Sequence, residues 1–117
     1  MRQHTRVTFR PANRMQVLLR NTEDSLGLIA DISAGGFRLM SELPILVGQV
    51  YAVSIEVPIS AARFRLVEAS VICQWSRKTG RSGRFEQGFA LSEPAQAYTD
   101  LVDSLKATLV LSRSQKV

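Results

Sequence analysis

The string Asp31-Ile32-Ser33-Ala34-Gly35-Gly36 sets a carboxylate and a hydroxyl two residues apart, with a glycine pair close behind. At the end of an extended segment this spacing turns both side chains to one face, and the glycines permit a close backbone approach or a positive φ. Such a group is a polar clamp. Its carboxylate can accept from two adjacent N–H donors, as on the N1 and N2 edge of a guanine, while the hydroxyl donates or accepts. The competing reading is an Asx or Ser turn that merely shapes a hairpin. An Asp/Asn-x-Ser-x-x-Gly string is expected about 0.04 times by chance in a chain of this composition, so its single occurrence carries weight.

Arginines form the second group. Arg2-Gln3-His4-Thr5-Arg6 spaces a pair four apart, but Arg6/Arg10, Arg10/Arg14 and Arg77/Arg81 repeat that spacing, so it is not specific by itself. Residue type says more. Of the 15 cations only Lys78, Lys106 and Lys116 are lysines. The arginine fork binds phosphate or guanine O6/N7 through two hydrogen bonds and stacks on rings, whereas Lys is a hydrated point charge. Arg2, Arg6, Arg10, Arg14 and Arg20 occur in the first twenty residues without an acid, and Arg77, Lys78, Arg81 and Arg84 cluster later. Both stretches are candidate anion-binding surfaces.

The elements that position these groups follow from length and pattern. With 117 residues, 45% of them hydrophobic, and a net charge of +5, the chain reads as one domain with an ordinary core. Cys73 and His4 each stand alone, which leaves no raw material for a multi-ligand metal site or a catalytic triad and points to a reducing compartment. Without a long apolar run or a secretory signal, the expectation is a cytoplasmic protein with no membrane insertion. Alternating or β-branched runs predict six strands, at Met15–Arg20, Leu26–Ile32, Gly36–Met40, Val50–Val57, Phe64–Trp75 and Phe85–Leu91. In so short a chain an antiparallel sheet covers its faces by closing into a β-barrel. Ser92-Glu93-Pro94 opens a C-terminal α-helix over 93–112, with Ala97, Leu101, Leu105 and Leu109 on its apolar stripe and Tyr98 and Val102 beside it. The expected organisation is a flexible Arg-rich tail over 1–10, a barrel over 14–91 and the helix, all in one domain spanning 1–117.

Taken together, the Arg-x-x-x-Arg tail, the Asp-x-Ser-x-x-Gly turn, the six-stranded β core and the terminal helix resemble a PilZ domain, the bacterial receptor module for cyclic di-GMP. Arg2, Arg6 and the following Val7 match its first motif; Asp31, Ser33 and Gly36 match its second. Gln87-Gly88-Phe89-Ala90-Leu91 is similar to the glycine-containing late strand of these domains. The resemblance implies cyclic di-GMP as the ligand, held by Arg2, Arg6, Asp31, Ser33 and Gly36 with Gly35, Arg10 and Trp75 as further candidates, and no metal or other cofactor. It also implies that binding folds residues 1 to about 10 across the mouth of the barrel, making a surface that a downstream protein partner senses.

Three other functions compete. A PilZ-fold adaptor would bind a protein and no nucleotide. A barrel that binds single-stranded nucleic acid needs aromatic platforms among its cations, and Phe37, Phe64, Phe85 and Phe89 all fit core positions, so no nucleic-acid polymer is expected. An enzyme would need a pair such as Glu56 and Glu68, which read instead as strand-face acids opposite arginines.

Overall fold

The computed structural model describes residues 7–8, 15–80 and 83–114. Its strands are β1 (Val7–Thr8), β2 (Gln16–Leu19), β3 (Ser25–Ser33), β4 (Gly36–Ser41), β5 (Val50–Ser60), β6 (Arg63–Thr79) and β7 (Arg84–Leu91), followed by α1 (Gln96–Ser114). All pairings are antiparallel. β2, β5, β6, β7 and β4 are neighbours in that order, and β3 pairs with both β2 and β4, so six strands close into a ring as the sequence pattern predicts. The short β1 is an addition. It joins β3 through Val7 opposite Ile32 and Thr8 opposite Asp31, ahead of the stretch where β2 pairs with the same strand. Two residues in an Arg-rich segment leave no periodicity to read, so β1 was not legible.

Inside the ring, Val17, Ile29, Ile32, Phe37, Leu39, Val53, Ile55, Val71 and Cys73 are buried, and the Phe37 and Phe89 rings stack at 5.2 Å. Burial also pushes the Cys73 thiol up from its ordinary value, which keeps it neutral in the core. Two assignments from the sequence fail here. Phe85 is only half-buried and not part of the core cluster. Phe64 is not a core residue but stands 57% exposed, because β6 begins beyond the end of the ring and its first residues have no interior to face. The β5–β6 hairpin is longer than expected for the same reason: Pro58 continues the strand beside a register shift, a position where the missing donor is tolerated, and only Ala61 and Ala62 form the turn. At the other end β6 runs on past its pairing with β5, through Ser76, Arg77, Lys78 and Thr79, beside β7, whose Phe85–Gln87 stretch also pairs with β4.

The helix begins at Gln96, with the Ala95 carbonyl accepting from Thr99 N–H at 3.0 Å. Its buried stripe is Tyr98, Leu101 and Val102, with Leu105 packed against the core. Ala97 is exposed, one position off that stripe, and the side chain of Leu109 lies outside the described residues. Tyr98 locks the helix to the β3–β4 turn: its hydroxyl lies 2.7 Å from the Ser33 carbonyl and 2.8 Å from the Gly36 carbonyl. Tyr98→Phe should therefore lower folding stability by about 1–2 kcal/mol, since buried carbonyls lose a donor. Urea denaturation checks this as a lower midpoint at an unchanged slope.

Candidate functional site

Asp31 and Trp75 reach the outer wall by the same device. Strict alternation would turn both inward, because Ile29 and Cys73, two residues earlier on their strands, are fully buried. A bulge intervenes each time: the register shifts between Ile29 and Asp31 on β3, and between Cys73 and Trp75 on β6. The extra residues, Ala30 and Gln74, flip the next side chains to the other face. Asp31 then lies opposite Arg38, Arg38 opposite Gly88, and Gly88 opposite Trp75. With Thr8 paired to Asp31, one row of cross-strand partners runs over β1, β3, β4, β7 and β6, its Asp31, Arg38 and Trp75 side chains on the outside of the ring. Four strand spacings make that row about 19 Å long. The row lies on the wall of the ring; the tail expected to fold across the barrel mouth lies, but for Val7 and Thr8, outside the described residues.

Charges connect the row in sequence. Arg38 Nε donates to Asp31 Oδ2 at 2.7 Å, Arg38 Nη1 donates to Glu86 Oε2, and Arg77 Nη2 donates to Glu86 Oε1 at 3.4 Å. The Arg77 guanidinium lies 5.5 Å from the centre of the Trp75 ring, within cation–π range. The Asp31 hydrogen bond, joined by Glu86, raises the Arg38 guanidinium above its ordinary value, so it stays charged throughout. These side chains line a cleft of about 470 Å³, and a recess of about 210 Å³ adjoins it beside Gln74, Trp75 and Gly88. Glycine at 88 is a condition of the recess, because a Cβ there would sit 2.0 Å from Trp75 Nε1. A larger concavity of about 660 Å³ lies near Leu26, Leu28, Met40, Leu43, Ile45 and Tyr51. It is mostly apolar, whereas the Asp31 cleft carries the fixed donors and acceptors that orient a polar ligand.

The structure brings Asp31 and Trp75 together among the expected site residues. Arg2, Arg6 and Arg10 lie outside the described residues. Ser33 is buried, and its hydroxyl donates to the Gly36 carbonyl at 3.3 Å, the turn-shaping role weighed against a ligand contact. Gly36 has a packing reason to be glycine: a Cβ would lie 1.9 Å from the Phe89 carbonyl oxygen. Gly35 is exposed on the two-residue turn, and its carbonyl accepts from Leu91 N–H. Arg38, Glu86 and Gly88 complete the cleft without having been named as candidates. For Arg38 a signal existed. A two-residue turn at Ala34-Gly35 sets Ser33 opposite Gly36, and counting back along both strands puts Asp31 opposite Arg38.

The acids considered for catalysis sit elsewhere. Glu56 pairs with Leu66 and Glu68 with Ser54 on neighbouring strands, and Glu68 lies 4.0 Å from Arg20. Among the described residues no group of three or more His, Cys, Asp or Glu could hold a metal ion, and no helix is long and apolar enough to cross a membrane.

No protein-family model and no curated protein sequence matches the chain. Solved structures do. The chain is similar to the Bacillus subtilis inhibitor of motility MotI/DgrA, at 19% identity and a TM-score of 0.70, over 98% of this chain and 52% of that one. The K. pneumonia MrkH–c-di-GMP complex matches at 14% identity and a TM-score of 0.71, over 100% and 56%. The Borreliella burgdorferi PlzA protein in complex with c-di-GMP matches at 14% and 0.59, over 96% and 52%. The chain thus spans about half the length of the solved chains it matches, and at these identities the likeness is one of fold.

Proposed function

We propose that this chain, which has the PilZ-type fold, is a receptor module for cyclic di-GMP that signals through its N-terminal segment. The observation that carries the reading is the outer-wall row from Thr8 through Asp31, Arg38 and Gly88 to Trp75. Two of the structural neighbours, MrkH and PlzA, are complexes with c-di-GMP, which supports the choice of ligand. Asp31 takes the N1 and N2 donors of one guanine, with Ser33 and Gly36 holding the turn that presents it. Trp75 flanks a base with its ring, at a place where Gly88 leaves room.

Charge assigns the phosphates to the tail. Asp31 and Glu86 offset Arg38 and Arg77, so the described lining of the cleft has no net charge to hold a dianion. Arg2, Arg6 and Arg10 supply it. Arg6 directly precedes Val7, whose pairing with Ile32 ties that end of the chain to the strand of Asp31. Guanidinium groups pair with phosphate and with guanine O6/N7. Neutralised by the ligand, the tail folds against the basic domain and changes the surface offered to a partner.

Trp75 is the only tryptophan and is 39% exposed, so it reports on the test. Titration with cyclic di-GMP should change its fluorescence in a saturable manner at micromolar ligand, while GMP should not. The internally matched charges of the cleft favour a second reading, an adaptor that binds protein and no nucleotide. A flat titration, with no heat in calorimetry, would favour that alternative.

A further inference from the structure

The β5–β6 hairpin projects past the ring, and its two faces differ in chemistry. From Val57 onward β5 pairs only with β6 among the described residues, and from Arg63 to Val67 β6 pairs only with β5. Alternation puts Phe64 and Leu66 on one face, with Pro58 and Glu56 opposite them. Arg63 and Arg65 are on the other face, opposite Ser60 and Val57. Ile59, Phe64 and Leu66 are each 57% exposed, and both arginines are exposed with no carboxylate within ion-pair distance among the described residues. Neighbouring apolar side chains on a projecting ribbon whose edge is unpaired among the described residues form a template for another chain.

We infer that the outer edge of β6 at Arg63–Val67 docks an extended segment of a partner protein in which acidic and apolar residues alternate. A strand added there continues the ladder. Its side chains on one face meet Phe64 and Leu66 and are apolar; those on the other meet Arg63 and Arg65 and are acidic. Charge decides among occupants. A second copy would bring Arg63 and Arg65 against the same pair in a chain already carrying +5. A bilayer presents one surface and could engage the apolar face or the basic face, whereas an added strand uses both at once. Single-stranded nucleic acid needs successive stacking platforms, and the hairpin offers only Phe64. This inference does not depend on the nucleotide reading, since none of these residues lines the Asp31 cleft.

The test pans a displayed random-peptide library on the full chain, with counter-selection against the Phe64→Ser/Leu66→Ser variant. Enriched peptides should alternate Asp or Glu with β-branched or other apolar residues. The Arg63→Glu/Arg65→Glu variant should bind them about tenfold or more weakly and should instead favour versions with Lys in place of the acids. Both variants should keep the wild-type response to cyclic di-GMP and the wild-type unfolding midpoint, which separates this surface from the cleft. The inference is overturned by a library that yields no hairpin-dependent peptide, or by hairpin-dependent peptides that are neutral or basic. It is equally overturned if Phe64 and Leu66 serve instead to bind phosphatidylglycerol vesicles or a single-stranded oligonucleotide, or to form a dimer in sedimentation.

Discussion

Asp31→Ala and Arg6→Ala should each weaken cyclic di-GMP binding about 30- to 150-fold, equivalent to about 2–3 kcal/mol, measured by titration calorimetry. The size reflects the group that each removes. Asp31 is a buried carboxylate, turned outward by the Ala30 bulge and steadied by Arg38 at 2.7 Å, so its acceptors are positioned before a ligand arrives. A fixed, charge-assisted acceptor loses more on deletion than one that must be ordered on binding. Arg6 matters for the opposite reason: the described lining of the cleft has no surplus positive charge, so on the proposed reading each guanidinium of the tail would contribute directly to holding phosphate. Unchanged affinity in both variants would remove the assigned site.

The second large effect concerns folding. Gly36→Ala should destabilise the domain by about 3 kcal/mol, a substantial part of the stability of a typical domain. The added methyl would lie 1.9 Å from the Phe89 carbonyl oxygen and 2.9 Å from the Ala90 Cα, both main-chain atoms of β7. Gly36 pairs with Ala90 and, across the turn, with Ser33, and its carbonyl also takes the Tyr98 hydroxyl, so no shift of β4 leaves the neighbours undisturbed. A urea melt should show a lower midpoint for Gly36→Ala. A variant as stable as the parent but unable to bind nucleotide would mean that the glycine serves the ligand directly and not the packing of β4 on β7.

Much of this architecture was legible because it rests on local pattern. Six alternating runs with turn residues between them give the ring, and Ser92-Glu93-Pro94 marks where the period changes toward the helix. The Asp31-to-Gly36 string was legible as chemistry, although its hydroxyl and last glycine turn out to have structural work in the turn. The hidden features depend on register. Nothing in Ile29-Ala30-Asp31 or Cys73-Gln74-Trp75 announces a bulge, yet both bulges decide which side chains leave the core. Arg38 and Glu86 each look like a lone solvated charge within a strand until cross-strand pairing is counted. Phe64 was misread because an aromatic on an alternating run looks the same whether its strand lies within the ring or projects past it.

Amide chemical-shift mapping with cyclic di-GMP tests nucleotide binding on the outer wall most directly. Binding there predicts saturable shifts confined to residues 2–10 and 31–38, to Trp75 and Arg77, and to Glu86–Gly88. Shifts centred instead on the apolar concavity at Leu26, Leu28 and Met40, or no shifts at millimolar ligand, would contradict it.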